Sequence, residues 1–189
     1  MLEYLRASAT FFWEVIKVAV VSLAIILPIR YLLVQPFYVK GASMEPTYLD
    51  HDYLLIDELS FRFREPSRGE VVVLRYPRDP GEFFIKRIVG LPGERVVVQG
   101  GRVLIGTPGH EPVPLAEPYL PADHQTNGNV DVTLSDGQYY VFGDNRSASL
   151  DSRSFGPITS RAIIGRTWVR AWPPKRAAVF PTQPLPVTP

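Results

Sequence analysis

One apolar run near the N-terminus is the feature of this sequence that most constrains its fold. Residues 18–29 carry no charge, and the wider stretch 11–34 contains only three charged residues, Glu14, Lys17 and Arg30. The run predicts a single transmembrane helix, provided that Lys17 and Arg30 extend toward the interfaces, because a span needs about 20 apolar residues. A buried helix is disfavoured because all faces are apolar. A cleaved signal peptide is disfavoured because no small-x-small site follows closely.

The charges that flank the run indicate its orientation. Arg6 and Lys17 precede the uncharged residues, and Arg30 follows them. This slight excess of basic residues on the N-terminal side favours a cytoplasmic N-terminus. The rest of the chain is then expected outside.

After Pro36 the sequence changes to short β-type runs separated by Gly and Pro, which predicts a mainly β domain. The strand candidates are residues 53–56, 70–76, 83–89, 94–98, 102–105, 130–134, 138–142 and 162–168. Gly100 and Gly101 separate two of these runs and fit a two-residue hairpin turn, which requires positive φ.

The pattern divides the chain into three parts. Residues 1–35 form the N-terminal segment with the predicted span, and residues 36–172 form the β-rich domain. Within that domain, residues 106–129 are rich in Pro, Gly and polar side chains and are expected to be a long surface excursion. Residues 173–189 contain six prolines and are expected to be a disordered tail.

Composition excludes several classes of function. Lys and Arg total 20 against 19 Asp and Glu, a formal charge of +1, which gives no reason to expect nucleic acid as a partner. The absence of cysteine excludes disulfides, thiolate nucleophiles and Cys-ligated zinc. His51, His110 and His124 lack the spacing of a zinc site, so no metal and no other cofactor is predicted. A Ser-His-Asp triad is supported only by the occurrence of serine, histidine and aspartate in the sequence.

Ser43 is a candidate nucleophile. It lies in residues 41–46 (GASMEP), where glycine relaxes the backbone and Pro46 restricts Glu45 to an extended conformation. Such a loop can present a hydroxyl group, although a serine between Gly and Pro is more often part of a turn. Catalysis by Ser43 therefore requires a partner base.

Lys86 is a candidate for that base. It lies in a strand-like run in which alternation places Phe84, Lys86 and Ile88 on one face and Arg87 on the other. Burial among apolar neighbours lowers the pKa of a lysine from about 10.4 by as much as ~3–5 units, which makes the amine a usable base near neutrality. The alternative is an edge lysine that extends into solvent.

A third segment, residues 142–153, is dense in short hydrogen-bonding side chains and opposite charges. By itself it is compatible with an ordinary polar loop. Its functional interpretation is that Ser149 forms a hydrogen bond with the Lys86 amine, while Asp151 and Arg153 pair and fix the loop.

Taken in order, the three segments resemble those of the type I signal peptidase family. The similar boxes are SMEPT at residues 43–47, KRIVGLPG at 86–93 and GDNRSASLDSR at 143–153. The resemblance extends from about residue 11 to about residue 172, without the excursion and the tail. It implies a signal-peptidase-like, β-rich catalytic domain of antiparallel sheets, preceded by one transmembrane helix.

The resemblance also implies roles for individual residues. Ser43 would be the nucleophile, Lys86 the general base and Ser149 the residue that orients the Lys86 amine. Structural support is implied for Asp144, Arg146, Asp151 and Arg153. Shallow pockets for small residues before the cleavage point would be lined by Phe37, Val39, Met44, Leu54, Phe84 and Ile85. Gly41 departs from family members that carry a serine there for the oxyanion hole, which leaves the second donor of that hole open.

The implied activity is cleavage of N-terminal signal peptides from exported preproteins after Ala-x-Ala type sites, by acyl transfer through Ser43. The implied location is the bacterial cytoplasmic membrane, crossed once, with a cytoplasmic N-terminus and the catalytic domain on the outer face. Partners would be preprotein signal peptides, the lipid bilayer and the export machinery. Two alternatives are a self-cleaving Ser/Lys protein of the repressor type and an inactive membrane-tethered β-domain that binds peptides or partners.

Overall fold

The computed structural model of the protein describes residues 2–32, 34–181 and 185, and the side chains of residues 11–27, 35–181 and 185. Helix α1 (Leu2–Leu32) opens the chain, and all its described side chains are exposed. Among the described residues, no helix was found that has the length and the apolar character needed to cross a membrane. The side chains of Arg6 and Arg30, which enter the prediction of a span, lie outside the described set.

The rest of the described chain is mainly β, as the sequence predicts. Its strands are β1 (Val34–Tyr38), β2 (Tyr53–Asp57), β3 (Val71–Tyr76), β4 (Asp79–Gly90), β5 (Arg95–Gln99), β6 (Arg102–Gly106), β7 (Val113–Pro114), β8 (Val130–Thr133), β9 (Gln138–Phe142), β10 (Ile158–Thr159), β11 (Ile163–Trp172) and β12 (Ala178–Val179). Helix α2 (Ser152–Phe155) and 3-10 turns at Ser60–Arg62, Ser160–Ala162 and Pro174–Arg176 lie between them. The sequence does not predict β1, because Pro36 lies within it; the proline is tolerated because β1 is an edge strand.

The strands pair antiparallel in two sheets. The larger sheet has the order β1-β2-β11-β3-β4-β9-β10, with β12 beside β11, and the smaller has the order β7-β6-β5-β8. The hairpin between β5 and β6 turns through Gly100 and Gly101, whose φ angles of 58° and 76° confirm the predicted turn. β4 lies between β3 and β9: β3 pairs with its residues 83–87, and β9 pairs with it from Arg87 to Gly90.

Alternating side chains place the larger sheet between hydrophobic clusters. On β3, Val71 and Val73 belong to one cluster, and Val72 and Leu74 belong to another. The first cluster also contains Met44, from the segment after β1. A third cluster joins the smaller sheet to β9 and the end of β4. Because both faces are covered, the centre of the sheet is a rigid support for the side chains of β4.

Part of the C-terminal tail has regular structure, whereas its proline content favours disorder. Residues 174–176 form a 3-10 turn, and β12 pairs with β11 through Ala178 opposite Arg170 and Val179 opposite Val169. The prolines lie outside this two-residue pairing, so they remove no hydrogen bond from it. Residues 182–184 and 186–189 lie outside the described set.

Candidate active site

Ser43 lies in the loop between β1 and β2, which is closed at its base. Val39 N donates a hydrogen bond of 2.9 Å to Asp52 O and so joins the two ends of the loop. Met44 and Tyr48 are buried in the core beneath it. The serine is therefore presented by a segment whose neighbours are fixed in the core.

Lys86 reaches Ser43 from β4. Its Nζ atom lies 3.0 Å from Ser43 Oγ and 2.8 Å from Ile85 O, within hydrogen-bonding distance of both. Only 3% of the lysine is exposed. Burial lowers the pKa of the Lys86 amine from 10.5 to about 8, although the carboxylates of Asp151 and Asp144 oppose this shift. A neutral amine beside the serine hydroxyl is therefore accessible near neutral pH.

The alternation along β4 explains why the amine is buried. Phe84 lies on the same face, and Lys86 Nζ is 5.1 Å from the centre of its ring. The Phe84 ring is itself stacked on Tyr76, with 4.5 Å between ring centres. Across the sheet Lys86 pairs with Val72, which is fully buried. Aromatic and aliphatic groups therefore replace the water that would solvate a charged amine.

The third predicted segment begins in direct contact with the loop that bears Ser43. Asn145 N donates a hydrogen bond of 3.1 Å to Ser43 O. Gly143 is required at this contact, because a Cβ atom there would lie 2.4 Å from Ser43 O and 2.2 Å from Ser149 Oγ. The close approach of backbone to backbone therefore explains the glycine of this box.

The contacts of Ser149 differ from the sequence interpretation. A hydrogen bond between its hydroxyl and Lys86 is expected, but Ser149 Oγ is buried without a hydrogen-bond partner in the part of the chain that the structure describes. Lys86 Nζ is directed to Ser43 Oγ and Ile85 O instead, while Ser149 Oγ packs against Gly143. The predicted contact is therefore wrong for this structure.

Arg87 points away from Lys86, as alternation predicts, and connects the three segments. Its guanidinium group forms a bidentate ion pair with the Asp144 carboxylate, with N–O distances of 2.8 and 2.6 Å. It also donates a hydrogen bond of 2.8 Å to Gly69 O. Thr47 Oγ1 donates to the same carboxylate at 2.6 Å. Asp144 thus supports the site through Arg87, to which the sequence interpretation assigns no role. The sequence signal that could have identified Arg87 is its position, because it directly follows Lys86 and lies on the opposite face of the strand.

The predicted pair of Asp151 and Arg153 is formed, with contacts of 2.8 and 2.7 Å. Asp151 caps α2 by accepting from Arg153 N, and its Oδ2 atom also accepts from Gly143 N at 3.1 Å. Arg153 donates to Arg146 O at 2.7 Å. The pair therefore fixes the shape of the loop that contacts Ser43.

Arg146 connects the site to residues 106–129. Its guanidinium group pairs with Glu117 and donates to Thr126 Oγ1, and both partners have buried side chains. Leu120 of the same segment is also buried. A surface excursion is expected here, but this segment contributes side chains to the interior. The reason is that the buried charge of Arg146 requires a carboxylate partner.

A cavity of about 630 Å³ opens beside Ser43 and Lys86. Five of the six side chains expected at the substrate pockets line it, namely Phe37, Val39, Leu54, Phe84 and Ile85. Met44 is the exception: it is fully buried in the core beneath the loop. Lining residues that the sequence interpretation misses include Tyr38, Val73, Phe83, Ala148 and Leu150. Ala148 and Leu150 belong to the third segment, which only the tertiary structure brings to the cavity.

Gly41 has a left-handed backbone conformation, with a φ angle of 85°. Its N–H donates to Asp50 Oδ1 at 2.8 Å. A Cβ atom at this position would meet nothing within 4 Å. The glycine is therefore explained by its backbone conformation and not by crowding, since other residues rarely adopt positive φ.

The three histidines do not line the cavity. His51 pairs with Asp50 at 3.0 Å, and His124 lies 3.2 Å from Glu117. Among the described residues, no group of three or more His, Cys, Asp or Glu is placed to hold a metal ion.

The family model and the curated relatives indicate one family. The family model of signal peptidase, peptidase S26, matches residues 12–172. A Synechocystis protein named probable signal peptidase I-2 is 36% identical over 173 residues, covering 88% of this chain and 76% of its own. The signal peptidase I of Leptolyngbya laminosa is 37% identical over 173 residues, covering 86% and 81%. A solved signal peptidase I structure from Enterococcus faecalis has a TM-score of 0.46 and 28% identity, covering 55% of this chain and 97% of its own.

Proposed function

Because the chain belongs to the signal peptidase family, peptidase S26, and is an enzyme that removes signal peptides, we propose that Ser43 is its nucleophile and Lys86 its general base. One observation carries this assignment: the buried Lys86 amine lies 3.0 Å from the Ser43 hydroxyl. A general base needs a distance of about 2.6–3.2 Å and a pKa close to the working pH. The pKa of about 8 satisfies the second requirement.

The first half of the reaction forms an ester. Neutral Lys86 accepts the Ser43 proton as Oγ attacks the scissile carbonyl carbon, and the carbonyl oxygen becomes an oxyanion. We assign the Ser43 N–H as a donor to that oxyanion. When the C–N bond breaks, the Lys86 ammonium gives its proton to the leaving amine, and the signal peptide remains attached to Ser43.

The second half of the reaction hydrolyses the ester. Lys86, again neutral, accepts a proton from a water molecule as that water adds to the ester carbonyl. The ester C–O bond then breaks, Ser43 Oγ regains a proton from the Lys86 ammonium, and the signal peptide leaves with a new carboxyl group. The dry surroundings of Lys86 lower the pKa of its amine, so the neutral form that starts each half is populated near pH 8.

The substrate is proposed to bind as an extended strand along β4. Among the described residues, β9 pairs with β4 only from Arg87 onward, so the edge of residues 83–86 faces the cavity. An exposed strand edge can accept a peptide by backbone hydrogen bonding. Alternate side chains of that peptide point the same way, toward the apolar groups of Val39, Leu54 and Ile85. This arrangement favours small apolar residues, as in Ala-x-Ala.

We further propose that α1 anchors the enzyme in the bacterial cytoplasmic membrane, with a cytoplasmic N-terminus and the β domain on the outer face. The exposed and mostly apolar side chains of residues 11–27 support this role. At most ~30 Å of extended chain separates residue 34 from Ser43. The nucleophile would therefore lie near the membrane surface, where the export machinery delivers a preprotein.

The test is cleavage of an Ala-x-Ala preprotein by the purified full-length protein in lipid vesicles. Ser43→Ala and Lys86→Ala are each expected to lower kcat by ~10⁴-fold or more, because the two residues act as a unit. Ser147→Ala is the matched control, since it removes an exposed serine of the adjoining loop. Cleavage by either dyad variant at the rate of the unmodified enzyme would reject the assignment.

The same assay tests the protonation state of the Lys86 amine and the specificity for small residues before the cleavage point. The neutral amine is the reactive form, so kcat/KM should rise with pH and level off above about 8. A preprotein with Phe at both small positions should be cleaved poorly. A rate that falls as the pH rises toward 8, or equal cleavage of both preproteins, speaks against this account.

A further inference from the structure

The C-terminal residues 173–181 pack beside the segment that follows Ser43. β12 pairs with Val169 and Arg170 of β11, at a point where β3 no longer pairs with that strand. Phe180 N donates a further hydrogen bond of 2.8 Å to Trp168 O. These backbone contacts bring the side chains of the tail to residues 47–52.

Arg176 makes the first side-chain contact with this segment. Its guanidinium nitrogens lie 3.2 and 3.4 Å from the two carboxylate oxygens of Asp52, a residue that is 1% exposed. The Asp52 carboxylate also accepts from Leu49 N at 3.0 Å, and its backbone oxygen accepts from Val39 N at 2.9 Å. Arg176 therefore contacts the residue that closes the base of the loop bearing Ser43.

Phe180 makes the second contact. Its ring centre lies 4.9 Å from that of Tyr48, a buried residue of the same loop. Arg170 lies over the Phe180 ring at 5.4 Å and donates to Thr47 O at 2.9 Å and to Arg176 O at 2.6 Å. The tail thus contacts Tyr48 directly and Thr47 through Arg170 of β11.

The segment held in this way is linked to the base as well as to the nucleophile. Thr47 Oγ1 donates to Asp144, whose carboxylate pairs with Arg87, the residue next to Lys86. A displacement of residues 47–52 would therefore alter the distance between Ser43 and Lys86.

We propose that Arg176 and Phe180 are positioning residues for the cleavage reaction, holding residues 47–52 so that Ser43 Oγ stays within reach of Lys86 Nζ. The proposal rests on the function proposed for that dyad. The family match ends at residue 172, so this support lies beyond the matched region. The cavity is lined by residues up to Leu150 within the described chain. The tail can therefore alter the placement of the nucleophile without altering contacts to the substrate.

The experiment compares steady-state cleavage of an Ala-x-Ala preprotein by the full-length enzyme and by its variants Arg176→Ala and Phe180→Ala, below their melting temperatures. A displacement of a reacting atom by about 1 Å can cost ~100-fold in rate. We expect kcat to fall about tenfold in each variant with KM unchanged. The pH at which kcat/KM levels off should not change, because β3 and β4 bury Lys86. Arg176→Lys should recover part of kcat, since it keeps a cation opposite Asp52.

Lys175→Ala and Val179→Ala are the matched controls, because they alter exposed neighbours of the two positioning residues. Both are expected to keep full kcat. If Phe180→Ala does not fold, Phe180→Leu keeps an apolar contact with Tyr48 and takes its place.

An unchanged kcat in the Arg176 and Phe180 variants would overturn the proposal. A loss that appears only as a higher KM, or only as a smaller folded fraction, would overturn it too. Full activity of Ser43→Ala would instead refute the dyad, whatever the tail variants do. The two hypotheses can therefore fail separately.

Discussion

Lys86 is a lysine among apolar groups, and its protonation opposes folding. The residue is 3% exposed, and burial lowers the pKa of its amine from 10.5 to about 8. Between these pH values the unfolded chain binds more protons than the folded protein, so the stability of the folded state rises with pH across this window. Below about pH 8 both states are protonated, and the full cost of burying the charge is present. The property that suits the amine to its proposed role as a base thus destabilises the fold.

Lys86→Met is expected to stabilise the protein at pH 7 while abolishing cleavage. One pKa unit corresponds to about 1.4 kcal/mol, so the buried charge costs up to ~3 kcal/mol. Losing the contacts with Ser43 Oγ and Ile85 O offsets part of this gain, which leaves a net increase of about 1–2 kcal/mol in the free energy of unfolding. The difference should shrink as the pH approaches 10.5. Urea unfolding at both pH values measures it, and a less stable variant at pH 7 would contradict the prediction.

Among the elements, the segment between β6 and β8 is held by a buried ion pair. Burial alone would raise the pKa of Glu117, but the hydrogen bonds and the charge of Arg146 outweigh this effect and lower it. The carboxylate therefore contributes stability above the ordinary glutamate pKa, and this contribution is lost as the pH falls through the lowered value. Arg146 also donates to Gly143 O at 3.1 Å, in the loop against Ser43. The segment therefore supports the active site from a distance in sequence.

Glu117→Ala is expected to lower the free energy of unfolding by about 3 kcal/mol at pH 7, because it leaves the Arg146 guanidinium buried without its carboxylate. The effect should diminish as the pH falls below the ordinary pKa of glutamate and through the lowered pKa of Glu117. Glu111→Ala, an exposed residue of the same segment, should change stability by less than about 0.5 kcal/mol. Urea unfolding of the three proteins measures these values. Equal stability of the two variants would show that the buried pair contributes nothing.

At the scale of the whole molecule, the hydrophobic core is built without the described side chains of α1. The three core clusters are built from residues 37 onward, whereas the described side chains of α1 are exposed. A β domain with its own core is expected to fold without the helix. Anchoring and catalysis are therefore expected to be separable functions of the chain.

A protein of residues 34–189 is expected to remain in the supernatant when membranes are sedimented, and to cleave a short Ala-x-Ala peptide as fast as the full chain does. The full-length protein should sediment with membranes even after an alkaline wash. Such a wash weakens contacts that depend on charge, but it does not weaken apolar contacts with lipid. Recovery of the full-length protein in the supernatant would contradict the proposed anchor. Failure of the shorter protein to fold would contradict the separate core.

The sequence by itself determined the features that depend on neighbours along the chain. The opposite faces of Lys86 and Arg87 follow from strand alternation, and the turn at Gly100 and Gly101 follows from the positive φ that a tight hairpin needs. The three ordered boxes indicated the family and the pairing of Ser43 with Lys86.

Only the tertiary structure decided which distant residues meet. Arg87 and Asp144 are 57 positions apart, and Arg176 and Asp52 are 124 apart, so their contacts depend on the order of strands in the sheet. The same order lets β12 form beside β11, although the local proline content favours disorder. Backbone sterics act between neighbours in the chain and can be read from the sequence, whereas these contacts exist only once the sheet has been assembled.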